Sequence, residues 1–133
     1  MNQFSNNTND TNNTNKSYDL EERTAVFSEN IIGFIKNVNK NDINRSMLQQ
    51  LIRSATSIGA NYCEDNASSS KKDFRNKIYI CKKEANETKY WLRILVKSNP
   101  ELKDQIRELW KEAHEFHLIF QKITNTLNKD KKE

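Results

Sequence analysis

Glycine and proline are nearly absent. Two glycines and one proline punctuate 133 residues, too few turn-formers for a chain of short strands, so the sequence predicts long helices. Long apolar runs are missing too. No stretch approaches the ~20 apolar residues that a bilayer-spanning helix needs, so no membrane partner is expected. The amino terminus carries neither a basic segment nor an apolar core of the kind that directs secretion. Cysteine is scarce: Cys63 and Cys81 fit no Cys-x-x-Cys spacing and read as free thiols of a reducing, cytoplasmic compartment. What remains is one domain's length of chain with 22 basic and 18 acidic residues, net charge +4. That balance permits an acidic partner without requiring one.

Residues 1–17, "MNQFSNNTNDTNNTNKS", are an Asn/Thr tract with little to bury, expected to be a disordered tail. Residues 18–129 hold four helical patterns, and 130–133 are expected to fray. The first pattern runs from about Asp19 to Val38, with Phe27, Ile31, Phe34 and Val38 on one face. The second runs from about Ile43 to Glu64, with Leu48, Leu51, Ile52, Ala55, Ile58 and Tyr62 in line. "DNASSS" follows as a loop, one of whose serines caps the next helix. The third, about Lys71 to Ser98, keeps heptad spacing through Phe74, Ile78, Cys81, Ala85, Thr88, Leu92 and Leu95. A second row beside it, Ile80, Glu84, Glu87, Trp91 and Ile94, widens the face enough for two neighbours. Pro100 ends that helix. The fourth, about Glu101 to Asn128, repeats the pattern with Ile106, Leu109, Ala113, Phe116, Phe120, Ile123 and Leu127. Four amphipathic helices with short links predict an all-α, antiparallel up-and-down four-helix bundle.

Polar residues interrupt these stripes at informative places. Arg53, Ser57, Asn61 and Glu64 step along the second helix beside its apolar face. Glu84 and Glu87 sit inside an apolar row of the third. Folding the chain back near Ser68 sets Arg53 level with Glu84. The structural reading is an Arg53–Glu84 or Arg53–Glu87 bridge, with Ser57 and Asn61 completing the hydrogen bonds, because buried carboxylates need partners. The catalytic alternative uses the two carboxylates as acid and base. The stripe lacks histidine, and Arg53 would keep both ionised. A di-iron bundle requires Glu-x-x-His pairs on two helices. Only Glu84-x-x-Glu87 and a separate His114/His117 pair are present, so no metal and no cofactor are expected. Cys81 occupies a core position, and neither thiol has a neighbouring base to activate it. No catalytic residue and no small-molecule substrate are assigned.

The charge pattern points outward. The exposed face of the third helix carries Lys71, Lys72, Arg75, Lys82, Lys83, Lys89, Arg93 and Lys97, interleaved with Tyr79, Asn86 and Tyr90, and no acid falls on it. Lysines and arginines neutralise phosphates, and tyrosines stack on bases. The candidate nucleic-acid contacts are therefore Lys71, Lys72, Arg75, Tyr79, Lys82, Lys83, Lys89, Tyr90 and Arg93. Two other readings stand beside this one. The face is simply solvated, or it meets the acidic stripe Glu101, Asp104, Glu108, Glu112 and Glu115 of a second copy, head to tail.

Residues 50–95, "QLIRSATSIGANYCEDNASSSKKDFRNKIYICKKEANETKYWLRIL", carry a longer pattern. Arg53-Ser54, Ser57-Ile58, Ala60-Asn61, Glu64, Ser70-x-x-Asp73-Phe74, Lys83-Glu84-Ala85 and Glu87-Thr88-x-x-Trp91-Leu92 resemble the bacterial four-helix bundle family of large-subunit ribosomal RNA intervening-sequence proteins. Cys63 and Asp65 depart from the aliphatic and small residues expected there. The resemblance implies a small, cytosolic, all-helical protein with no assigned enzymatic activity. A more distant likeness, to the accessory protein of diversity-generating retroelements, implies a homo-oligomeric ring, a pentamer by analogy, that binds RNA or DNA.

Overall fold

Four helices make up most of the described chain, residues 16–65 and 70–132 of a computed structural model. α1 spans Lys16–Lys36, α2 Asn44–Asp65, α3 Lys71–Ser98 and α4 Lys103–Lys132, with a 3-10 turn at Pro100–Leu102. No strand occurs among the described residues. Sequence neighbours pack side by side, α1 on α2, α2 on α3 and α3 on α4, and α1 returns to touch α4. This is the up-and-down bundle that four apolar stripes joined by short links dictate. α1 begins at Lys16 rather than Asp19, and α4 continues past Asn128 to Lys132. The tail expected over 1–17 lies, up to residue 15, outside the described residues, as do loop residues 66–69 and residue 133.

Each helix boundary has a local cause. At the start of α3, the Ser70 hydroxyl accepts the Asp73 N–H at 3.1 Å, satisfying one donor of the first turn. Ahead of α2, Asn41 Oδ1 accepts the N–H groups of Ile43 and Asn44, both at 2.8 Å. Asn44 Oδ1 returns the bond to the Asn41 N–H at 2.9 Å, a reciprocal cap. Ile43 is thereby left outside the core, 70% exposed, and the helix starts one residue later than its apolar character suggests. Asn99 turns the chain between α3 and Pro100, because the residue before proline avoids helical geometry.

The core is the predicted set of stripes brought together. Phe27 and Ile31 of α1, Leu51, Ala55 and Ile58 of α2, and Ala113, Phe116 and Phe120 of α4 are buried around α3. Phe27 meets Phe116 edge to face at 5.4 Å and 72°, the geometry aromatic quadrupoles favour. α3 buries Ile78, Cys81, Ala85, Leu92 and Leu95 and packs along both α2 and α4.

α1 and α2 approach closely at Gly59, where a methyl group would lie 2.9 Å from Thr24 Oγ1 and 3.0 Å from Thr24 Cβ. Gly59→Ala should therefore cost about 1–3 kcal/mol, the usual range for overpacking. At Gly33 a methyl group would meet nothing within 4 Å. Gly33→Ala should be tolerated and gain about 0.5–1 kcal/mol of helix stability. Urea midpoints of the two variants should move in opposite directions.

Candidate functional site

The α2–α3 seam holds the charged network. Arg53 is 45% exposed and reaches across to α3. Its Nη1 lies 3.4 Å from both oxygens of Glu84, and its Nη2 bonds Glu87. The Trp91 indole N–H donates to the same Glu87 oxygen at 3.1 Å. That indole bond, together with Arg53, holds the Glu87 carboxyl below the usual carboxylate range. Glu84 is buried, at 8% exposure. A second, fully buried link lies one turn deeper, where the Thr88 hydroxyl donates to Ser54 Oγ at 2.9 Å.

Ser57 and Asn61 do something other than complete this network. The Ser57 hydroxyl donates to the Arg53 carbonyl at 2.6 Å, and the Asn61 amide to the Ser57 carbonyl at 2.8 Å. Both bond back into their own helix, the local alternative open to short polar side chains. The Glu64 side chain lies outside the described residues. The partners that sequence reasoning missed are Ser54 and Thr88. Thr88 lies in the apolar heptad row, so its hydroxyl carries no visible signal.

The α3–α4 seam divides the expected basic face. Lys82 and Lys89 are half-buried within it. The Lys82 ammonium donates to Gln121 at 3.1 Å and sits 5.3 Å above the Tyr79 ring. The Tyr79 hydroxyl accepts from Asn128 at 2.9 Å. Lys89 contacts His114 Nδ1 at 2.9 Å and lies 5.0 Å from the Trp110 ring centre. Burial pushes the Lys89 ammonium below its ordinary range. These two lysines are tied into the fold and have less reach for an outside ligand than Lys71, Lys72, Lys83 and Arg93, which are exposed. Arg75 is half-buried, and Tyr90 is 54% exposed with its edge against Trp91.

The cationic surface also extends further than the third helix. Arg93 of α3 faces Lys103, Arg107 and Lys111 of α4 around a groove of about 650 Å³. The i, i+4, i+8 spacing of the three α4 residues is visible in the sequence but is obscured by the acidic stripe running beside it. That stripe is partly engaged within the chain. Arg23 of α1 forks onto Glu112 at 2.7 and 2.8 Å and lies 3.9 Å from Glu115, while Lys111 reaches Glu108 at 3.4 Å. Among the described residues, no group of three or more His, Cys, Asp or Glu is placed to hold a metal ion, and no helix is long and apolar enough to cross a membrane.

An α-helical bundle with a polar α2–α3 seam and a cationic α3–α4 face defines the class. The 23S rRNA-intervening sequence protein family model matches residues 16–121, and the chain belongs to that family. It is similar to a crystal structure of a protein of unknown function from the S23 ribosomal protein family of Bacteroides thetaiotaomicron, with 32% identity and a TM-score of 0.71. The match covers 79% of this chain and 97% of that one. No curated protein matches the chain.

The seams give two expected outcomes. Arg53→Met leaves Glu84 without its cation and should destabilise the fold by about 1–3 kcal/mol, less than a fully buried pair because Arg53 is half-exposed. Adding Glu84→Gln should recover part of the loss in urea denaturation. His117 provides the second. Burial, then Lys89, His114 and Lys82, push its imidazole below the ordinary value, so folding favours the neutral ring. Its buried Nδ1 has no hydrogen-bond partner among the described residues. The stability this contributes is present above the unfolded value of about 6.5 and declines as pH falls through the lower folded value. Melting temperature should therefore fall as pH drops below about 6.5, and His117→Leu should flatten that fall.

Proposed function

We propose that this chain is a non-enzymatic bundle that binds RNA or DNA through phosphate contacts on the outer face of the α3–α4 hairpin. The observation that carries the reading is the joining of cations from two helices, Arg93 with Lys103, Arg107 and Lys111, into one surface. Exposed Lys71, Lys72 and Lys83 continue that surface along α3. Several acids are drawn elsewhere, Glu84 and Glu87 into the α2–α3 seam and Glu112 onto Arg23, while Glu108 stays on this surface 3.4 Å from Lys111. A chain whose family is named for ribosomal RNA intervening sequences fits the same chemistry.

The carboxylate pair supports no acid–base role in this reading. Arg53 spans both, and Glu87 stays ionised where a general acid needs a raised pKa. Self-association, in a ring of copies, is part of the proposal. The exposed Leu118, 48% accessible, and the exposed acids Asp104 and Glu108, the latter bridged only by the exposed Lys111 at 3.4 Å, offer a surface for a second copy. Glu112 is less suited to that contact because α1 already holds it.

Light scattering with and without RNA or DNA oligonucleotides reports mass and binding together. For about four phosphate contacts, affinity should fall roughly 50-fold for a single strand to 150-fold for duplex DNA between 50 and 200 mM salt. Lys72→Glu with Arg93→Glu should weaken binding to every sequence alike. Affinity that ignores salt, or no binding to either nucleic acid, would overturn the proposal.

A further inference from the structure

The groove at the α3–α4 end has a chemistry that the rest of the cationic face lacks. Its rim is Arg93, Lys103, Arg107 and Lys111. Its floor is apolar, formed by Leu92 and Val96 from α3 and by Ile106 and Trp110 from α4. Among the described residues, no acid lines it. Its volume, about 650 Å³, falls within the ~300–1,000 Å³ of small-ligand sites. Phosphates alone need cations and water, and gain nothing from an apolar floor. An apolar floor inside a cationic rim suits a ligand that has both a flat apolar body and anionic groups on its flanks.

The floor is preformed. Leu92 and Ile106, 0% and 1% exposed, are locked in the core and support the half-buried Val96 and Trp110, which supply the surface a ligand meets. The turn beneath is pinned because the Asn44 side-chain amide donates to Asn99 Oδ1 at 3.1 Å. Trp110 is stacked on His114 at 5.0 Å with Lys89 also 5.0 Å from the ring, which holds the indole at a fixed angle beside the groove. On the rim, Lys103, Arg107 and Lys111 succeed one another at four-residue intervals, about 6 Å per step along the helix. That interval is close to the phosphate spacing of an extended strand.

We propose that this groove takes one unpaired nucleobase of a single strand, with the flanking phosphates on the rim cations. The inference rests on the nucleic-acid reading above and adds a base subsite to it. Only a single strand qualifies, because in a duplex the base faces are stacked on one another. Apart from the Trp110 indole N–H the floor is hydrocarbon, so the site accepts any base and contributes affinity with little sequence choice.

The test compares two labelled oligonucleotides of equal length and phosphate number, one intact and one abasic, on the full chain. The intact strand should bind about tenfold more tightly, within the range one stacked or buried base supplies. Val96→Gln, at a half-buried position, should remove that difference while leaving the abasic affinity unchanged, with helical content checked by circular dichroism. Equal affinity for both strands, each still sensitive to salt, would overturn the base subsite and leave the phosphate reading standing. Binding of neither strand would overturn both. A fall in oligomer mass for Val96→Gln would make the groove a contact between copies and overturn the base assignment.

Discussion

A helix packed against neighbours on two flanks has one remaining arc for its charges. α3 is that helix, clasped by α2 on one side and α4 on the other. Its buried arc is filled by Ile78, Cys81, Ala85, Leu92 and Leu95. Its acids Glu84 and Glu87 lie at the α2 flank, where a cation from the facing helix meets them. Apart from Lys82 and Lys89, which turn into the α4 seam, its lysines and arginines occupy what is left. The outward cationic face follows from this allocation as much as from net charge, which is only +4 over the whole chain.

The two flanks of α3 solve the burial of polar groups differently. On the α2 side, opposite charges and a hydroxyl pair meet across the seam, with Arg53 serving two carboxylates and Ser54 receiving Thr88. Such pairing fixes which turn of α2 faces which turn of α3. On the α4 side, Lys82, Lys89, His114 and His117 crowd together, and aromatic rings and amides take the place of counter-ions. The first seam is electrically balanced, while in the second burial disfavours the charged forms of Lys89 and His117. The first therefore serves register, and the second makes stability respond to acid.

The fold was legible because its signal is repetitive. Phe27, Ile31, Leu51, Ile58, Ile78, Leu92, Phe116 and Phe120 all fall on stripes that period alone identifies, and all are buried. The charged pairing of Arg53 was legible too, since Glu84 and Glu87 interrupt an apolar row and must be compensated. Other features depend on three dimensions. Ser57 and Asn61 have the right spacing to reach the carboxylates, yet the carbonyl one turn back is nearer for both. Lys89 and Lys82 share a wheel arc with Arg93, but the width of α4 covers that edge of the arc and leaves Arg93 clear. The groove itself combines residues from two helices whose relative register no periodicity states.

The buried Asn44–Asn99 bond joins the α1–α2 connection to the α3–α4 turn across 55 residues of chain. Most other packing here is between helices adjacent in sequence, which forms quickly because little loop entropy is spent. The asparagine bond is longer in range, and it closes only when one helical hairpin sits correctly on the other. Its amide also donates to the Asn39 carbonyl at 3.0 Å, so both amide hydrogens are committed. A slipped pairing of hairpins would strand the amide hydrogen that Asn99 accepts, leaving only the local bond to Asn39. The bond thus acts as a proofreading contact, rewarding only the alignment in which the two turns arrive at the same level.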